Sequence, residues 1–191
     1  IVVDNVGGAG TGNSENVGTV DSTGVELAFV YDQGIVNEWN FKNPYSIAFT
    51  YTNATLEGDA NSDDEESIFA GGENGKYVPY IPKWQLNLSA GVETEKWRTY
   101  LNASFITAAF TSATNSAVET NPNSGKEDAR FGQTDSRFTV DASAYYRIGE
   151  GLEIFGTITN IFDREYIASR HPHGPRPGAP RLASIGVQYK F

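Results

Sequence analysis

A regular alternation of apolar and polar residues, repeated in well-separated segments, constrains this chain more than any other feature. From Trp84 to Val92 every second residue is apolar, and the residues between them are polar or glycine. Because successive side chains of a β-strand point to opposite faces, this period predicts strands with one apolar and one polar face. No segment fits the helical period comparably. The alternation recurs over residues 25–31, 45–53, 97–105, 138–148, 152–161 and 183–191, and residues 1–3 resemble a further strand end.

The connections between these predicted strands alternate in length along the chain. Strands of about 9–14 residues suit a tilted membrane crossing, whereas soluble sheets typically use about 5–6 residues per strand. Outer-membrane β-barrels place short turns at one end and long loops at the other, so the alternation favours a barrel over a soluble β-sandwich. Short connections are predicted at Glu93–Lys96 and Gly149–Gly151, with a longer member of the same set at Asp32–Asn43. Long connections are predicted at Asp4–Gly18, Gly58–Lys83, Ser112–Asp135 and Asp163–Arg181.

The two faces of the predicted strands differ in a way that a barrel explains. The apolar face would meet lipid, and the polar face, with charges such as Arg98 and Asp141, would line a wet lumen or contact a plug. Amphipathic rings favour a membrane–water interface, so aromatic residues near the short connections predict an aromatic girdle there. Its predicted members are Tyr31, Trp39, Phe41, Tyr45, Trp97, Tyr146, Tyr189 and Phe191.

Composition excludes several classes of function. The 191 residues include 14 Lys and Arg against 24 Asp and Glu, a formal net charge of −10 that argues against a nucleic-acid partner. The absence of Cys excludes disulfides, cysteine-bound zinc and a thiol nucleophile. No apolar run reaches the roughly 18 residues of a membrane-spanning helix. With both His residues in one Pro-rich segment, no catalytic triad is plausible, so we predict no enzyme activity, cofactor or metal site.

The last eight residues resemble the C-terminal assembly signal of outer-membrane barrels. That signal has a polar residue, a glycine two positions later, and aromatic residues near and at the end. The matching positions are Ser184, Gly186, Tyr189 and Phe191. The resemblance implies that the barrel-assembly machinery recognises this segment.

Two motifs just before that signal resemble the C-terminal signature of TonB-dependent outer-membrane receptors. The first is Asn160-Ile161-Phe162-Asp163 followed by Tyr166, with Ile161 where the family often has Leu. The second is Arg176-Pro177-Gly178-Ala179-Pro180-Arg181, which leads into the last strand. Two further runs, at 16–27 and 77–87, resemble the ferric-citrate branch of the family.

This resemblance implies an all-β fold: the last ~7–8 strands of an antiparallel transmembrane β-barrel of about 22 strands around a plug. Residues 1–191 would form the C-terminal segment of that barrel, and the plug domain would be absent from this chain. Such a receptor is an active transporter in the outer membrane of a Gram-negative bacterium. Its implied ligand is a ferric siderophore or a ferric-citrate-type chelate. Its other implied partners are the TonB complex, reached through the missing plug region, the barrel-assembly machinery, lipopolysaccharide and outer-membrane lipid.

The candidate ligand-binding residues are Arg170, His171, His173 and Arg176, in the Pro-rich loop before the last strand. Guanidinium groups suit the carboxylates of a citrate-like chelate, whose outer oxygens such a receptor would contact. The alternative is that this loop shapes the barrel rim whatever the substrate.

A second loop, Glu57–Glu73, is strongly acidic and contains no Lys or Arg. Asp59, Asn61 and Asp63 resemble the start of a calcium-binding loop, but Asp64 stands where such a loop requires Gly, and Ala70 stands where it requires Glu. We interpret this stretch as a solvated outer loop. Its acidic residues are Glu57, Asp59, Asp63, Asp64, Glu65, Glu66 and Glu73.

The sequence is also compatible with two other hypotheses. One is a self-contained outer-membrane barrel of eight strands, acting as an adhesin or a passive pore. The other is a soluble β-sandwich binding domain, which leaves the terminal signal and the alternating loop lengths unexplained.

Overall fold

The chain folds into an antiparallel β-sheet in which almost every strand pairs with the next one along the sequence. The computed structural model describes residues 2–6, 13–58, 61–62, 67–121 and 124–190, and side chains from residue 18 onward. Eight strands form the main sheet in the order β1-β2-β3-β4-β5-β6-β7-β10, and β8 and β9 form a small hairpin between β7 and β10. The strands are β1 Val2–Val6, β2 Asn13–Asp32, β3 Pro44–Glu57, β4 Trp84–Glu93, β5 Trp97–Ile106, β6 Arg137–Arg147, β7 Leu152–Thr159, β8 Ile167–Ser169, β9 Arg176–Pro177 and β10 Leu182–Tyr189.

Strand register aligns the predicted apolar positions into one continuous face. Cross-strand partners share a face, so each row of paired residues reports the chemistry of one side of the sheet. Leu27 and Phe138, at the two ends of one such row, remain 62% and 49% exposed. This apolar face is therefore uncovered within the described residues. The row runs from β2 to β6 and consists of Leu27, Phe49, Leu86, Phe105 and Phe138.

The opposite face is polar, as the alternation predicts. Asn102 pairs with Ser89 on one side and Asp141 on the other. In β7, Ile154 pairs with Tyr146 and Val187, which places it on the apolar face. A second polar row joins Asn87, Ser104 and Thr139. We call the two sides the apolar face and the polar face.

Short and long connections lie at opposite ends of the sheet. The short ones cover residues 33–43, 94–96 and 148–151, and the first contains a single helical turn, α1 Gln33–Val36. The long ones are loop A (58–83), loop B (107–136) and loop C (160–181). No helix in the described ranges is long and apolar enough to cross a membrane.

One predicted long connection is wrong. Residues Asp4–Gly18 are not a single loop, because Val2–Val6 forms β1 and pairs with the first residues of β2. The ladder between two strands consists of main-chain hydrogen bonds, which polar sequences can form as well as apolar ones. Side-chain alternation therefore failed to detect these residues as strand.

Aromatic residues border the short-connection end of the apolar face. Tyr31 pairs with Tyr45, and Trp97 pairs with Tyr146, each beside a short connection. The rings of Trp39 and Phe41 contact each other within the first of these connections, with centroids 4.9 Å apart and planes tilted by 34°. Phe191, the last predicted member of the girdle, lies outside the described residues.

The buried core lies at the long-connection end. Leu56 and Ala113 are 1% and 0% exposed, and they pack with Phe69. Leu56 pairs with Val20 and shares its side of β3 with Ala48 of the polar face. The core of the long loops therefore lies on the polar-face side of the sheet. A soluble β-sandwich would instead bury the apolar face of the sheet.

Candidate functional site

Loops A, B and C pack against one another at the long-connection end. Main-chain hydrogen bonds join loop B to loop A, from Ala113 N to Ile68 O over 2.7 Å and from Tyr80 N to Phe110 O over 2.8 Å. Asp135 joins loop B to loop C, because its N–H donates to Ile167 O and its carboxylate accepts the N–H of Ile167 at 2.7 Å. The three loops therefore form one connected surface layer.

Asn115 fastens loop A to loop B through its side chain. Its Oδ1 accepts the N–H of Tyr77 at 2.6 Å, and its Nδ2 donates to Tyr77 O at 2.9 Å. Asn115 has a φ of 56°, in the left-handed region that Asn tolerates better than most residues. A local turn residue thus satisfies both backbone polar groups of a residue in a different loop.

Arg170, a predicted ligand-binding residue, is buried at the junction of the loops. Its side chain is only 7% exposed, and Nη2 lies 2.8 Å from Glu119 Oε1. Nε donates to Gln133 O at 2.7 Å, and Nη1 donates to Ala129 O at 3.0 Å. All three guanidinium nitrogens are therefore bound to atoms of loop B.

Tyr80 brings loop A to the same point. Its hydroxyl oxygen accepts the N–H of Arg170 at 3.1 Å and the N–H of His171 at 2.9 Å. One phenol oxygen therefore satisfies two successive backbone donors of loop C.

His171, the second predicted residue, is half-buried beside Phe131. Its ring meets that of Phe131 edge-on, with centroids 5.3 Å apart and planes at 86°. Its Nε2 is buried and has no hydrogen-bond partner among the described residues. Burial lowers the pKa of His171 below its usual 6.5, the Arg130 guanidinium lowers that pKa further, and Asp128 opposes the change.

His173 and Arg176 are exposed, unlike the other two predicted residues. Arg176 lies in β9 and pairs with Ser169 of β8, so the small hairpin carries it on the surface. The four residues therefore divide into two at the junction, the buried Arg170 and the half-buried His171, and an exposed pair near the tip of loop C.

Asn160 organises the start of loop C, a role that the local sequence pattern does not predict. It is 4% exposed and has a φ of 48°. Its N–H donates to Asp141 Oδ1 at 2.7 Å, and its Nδ2 donates to the carbonyls of Arg164 and Ala179, each at 3.0 Å. Its Oδ1 accepts the N–H of Arg164 at 2.9 Å. Because Asp141 belongs to the polar face, loop C is also anchored on that side.

Gly178 occupies a place where no side chain fits. A Cβ at this position would overlap the ring of Tyr166. The Gly178 N–H also donates to Tyr166 O at 2.8 Å. The glycine of the second motif and the tyrosine of the first are thus direct neighbours.

The predicted assembly signal lies on the edge strand β10. Gly186 pairs with Phe155, and the Phe155 ring fills the space that a Cβ of Gly186 would occupy. Ser184 pairs with Thr157, and Tyr189 pairs with Leu152. Phe191 lies outside the described residues.

The acidic stretch provides little geometry for a metal site. Glu73 lies 3.8 Å from Lys76 in an exposed pair, and Glu57 ends β3. Among the residues that the structure describes, no cluster of three or more His, Asp or Glu side chains could hold a metal ion. Five members of the stretch lie outside the described residues, namely Asp59, Asp63, Asp64, Glu65 and Glu66.

A charged cluster lies on the polar face near the short connections. Arg98 Nη2 is 2.8 Å from Glu153 Oε1, and the Arg98 guanidinium lies 4.4 Å from the ring centroid of Tyr145. The predicted polar-face charge at Arg98 is thus paired across the sheet.

Solved structures show the same fold. The chain resembles the ferric citrate transporter FecA in its unliganded form, with 23% identity, a TM-score of 0.71 and coverage of 90% of this chain and 24% of that one. It resembles the siderophore receptor PiuA from Acinetobacter baumannii, with 18% identity, a TM-score of 0.68 and coverage of 93% and 23%. It also resembles the closed form of the ferric-catecholate import receptor Fiu from E. coli K12, with 17% identity, a TM-score of 0.63 and coverage of 99% of this chain and 23% of that one.

The chain spans about a quarter of the length of these solved proteins. No curated protein matches the sequence. The family model described as TonB dependent receptor-like, beta-barrel matches residues 1–161. The open antiparallel sheet is accordingly a partial barrel of this kind. By this match over most of its length, the chain belongs to the TonB-dependent receptor family, whose members are located in the outer membrane of Gram-negative bacteria.

Proposed function

We propose that this chain is part of an outer-membrane active transporter that takes up a ferric siderophore or a ferric-citrate-type chelate. Residues 1–191 would be the C-terminal segment of its β-barrel, and a plug domain outside this segment would contact the TonB complex. The apolar face would contact outer-membrane lipid and lipopolysaccharide. The barrel-assembly machinery would bind the terminal signal on β10.

The exposed pair at the tip of loop C carries this proposal. His173 and Arg176 are free of the buried junction, and loop C is anchored to the polar face through Asp141. The polar face of a barrel is its interior, so the pair would lie at the mouth of the lumen. A guanidinium group binds carboxylate oxygens through charge-assisted hydrogen bonds, which suits the outer surface of an anionic chelate.

The structural neighbours support the same ligand class. Three of them are named for ferric citrate, a siderophore or a ferric catecholate. At 17–23% identity these neighbours establish the fold, and the ligand therefore has to be tested directly.

Uptake of radiolabelled iron tests the proposal. Iron-starved cells that produce the receptor should accumulate iron from ferric citrate or from a ferric catecholate, and loss of the proton-motive force should stop the uptake. Replacing His173 and Arg176 together with Ala should reduce chelate binding at least tenfold, whereas Arg164→Gln, at an exposed arginine of the same loop, should not. Binding of neither chelate by the wild-type receptor would contradict the proposal.

The mass of the native protein separates this transporter from a small barrel. An antibody against the segment should detect a protein several times heavier than the 20.8 kDa of this chain. A protein near 20.8 kDa would favour an adhesin or passive pore instead.

A further inference from the structure

Three loops meet around the buried Arg170 of loop C, at a junction that also contains Tyr80 of loop A and Glu119 and Gln133 of loop B. The Glu119 side chain is 46% exposed there. Tyr80 accepts two backbone N–H groups of loop C. Arg170 binds loop B through its three guanidinium nitrogens. The residues come from distant parts of the chain, and they determine how loop C sits on loops A and B.

The buried position of the Arg170 side chain depends on all of these contacts. A buried charge is costly unless it is paired and hydrogen-bonded, so the burial of Arg170 is stable only while loop B surrounds it. Its planar guanidinium directs three nitrogens to three separate oxygens, a geometry that a lysine ammonium cannot reproduce. Separation of loop C from loop B would therefore expose the guanidinium group to solvent or leave it without hydrogen-bond acceptors.

The same contacts argue against direct ligand binding by Arg170. Each guanidinium nitrogen already has a protein acceptor, and the nearest carboxylate is that of Glu119 at 2.8 Å. An anionic ligand would have to displace Glu119 to reach the guanidinium.

We propose that Arg170 is a positioning residue. It fixes the tip of loop C, with His173 and Arg176, relative to loops A and B, so that the ligand site is built jointly by three loops. This inference rests on the proposed function for its ligand, an anionic ferric chelate. Affinity for that ligand depends on Arg170 although its guanidinium does not touch the ligand.

The test uses the receptor purified from outer membranes, with ferric citrate and a ferric catecholate as probes. For Arg170→Gln we expect at least a tenfold rise in the chelate Kd. Without any ligand, we also expect faster hydrogen exchange near Tyr80 and over residues 129–133. Tyr80→Phe, which removes the acceptor of two N–H groups, should have the same two effects.

Two further variants separate positioning from simple electrostatics. Glu119→Ala removes a negative charge and also the acceptor of Arg170 Nη2. Long-range electrostatics alone therefore predicts tighter binding of an anion, whereas loss of the junction predicts weaker binding. Arg170→Lys keeps the charge but not the planar fork, and it should fail to restore affinity. Arg164→Gln should leave both the hydrogen-exchange rates and the chelate Kd within about twofold of the wild-type values. Heat-dependent electrophoretic mobility in detergent tests whether each variant is folded.

Several results would overturn the proposal. These are an unchanged Kd in Arg170→Gln, tighter binding in Glu119→Ala, and a raised Kd without any change in loop exchange. If the wild-type receptor binds neither chelate, the proposed function fails, and the exchange measurements alone decide whether Arg170 holds the loops together.

Discussion

The backbone N–H of Arg181 donates a hydrogen bond to Oδ1 of Asp163 over 2.8 Å. Asp163 has a φ of 51°, in the left-handed region where Asp and Asn are enriched. The bond joins the two motifs of the C-terminal signature, which lie at the two ends of loop C. The signature therefore has a structural role, because it closes the loop that carries the exposed His173 and Arg176.

Asn160→Ala should destabilise the barrel by about 2–4 kcal/mol. The substitution removes the side-chain partner of three backbone groups of loop C, those of Arg164 and Ala179, and it removes a side chain suited to a positive φ. The midpoint of heat-dependent unfolding in detergent measures the effect. Asn102→Ala, at an exposed polar-face residue, should shift that midpoint much less, and equal shifts would refute a special role for Asn160.

Gly178→Ala should cost about 1–3 kcal/mol, because the new methyl group overlaps the Tyr166 ring. The same unfolding assay applies. Gly149→Ala is the matched control, since a Cβ there would meet no atom within 4 Å. A smaller residue at Tyr166 should relieve part of the cost in the double variant, and full additivity of the two changes would show that the ring is not the obstacle.

Leu101→Arg should destabilise the protein by about 2–4 kcal/mol if the apolar face contacts the middle of the bilayer. Its neighbour in β5, Asn102, points to the polar face, so Asn102→Arg should be tolerated. Both variants are compared for yield in the outer membrane and for unfolding in lipid vesicles. Equal tolerance at the two positions would contradict the assignment of the faces.

The contact of loop C with loop B should weaken in acid. The folded pKa of His171 lies below the usual 6.5, so a detached loop binds more protons than a docked one between these two values. The contact therefore keeps its full stability above about pH 6.5 and loses stability as the pH decreases toward the lowered pKa of His171. Protonation would place a cation against Phe131 and near Arg130.

Amide hydrogen exchange of residues 167–171, corrected for its intrinsic pH dependence, measures this effect. Exchange should accelerate between about pH 7 and about pH 5 in the wild-type protein. His171→Gln should remove the acceleration, and His173→Gln should retain it. A response that survives His171→Gln would assign the pH effect to another group.

Prediction from the sequence succeeded where local pattern carries the information. The apolar and polar faces of β4 and β5 follow directly from alternate residues, and neighbouring strands continue the same faces. Prediction from the sequence failed for one strand segment and for the role of one residue. Residues 13–18 form strand through main-chain pairing that side-chain polarity does not report. Asn160 looked like part of a family motif, and only its contacts with Asp141 and Ala179 showed what it does.

The sequence by itself determined the all-β architecture, the two faces of the sheet and the separation of short from long connections. These features depend on the period of side chains along an extended backbone, which is a local property. Tertiary structure alone decided the states of Arg170, His171, His173 and Arg176. Burial and pairing depend on residues far away in the chain, such as Tyr80 and Glu119, and no local pattern encodes which loop will meet which. These four neighbouring residues therefore divide into a buried Arg170 and a half-buried His171 at the junction, and an exposed His173 and Arg176 at the tip of loop C.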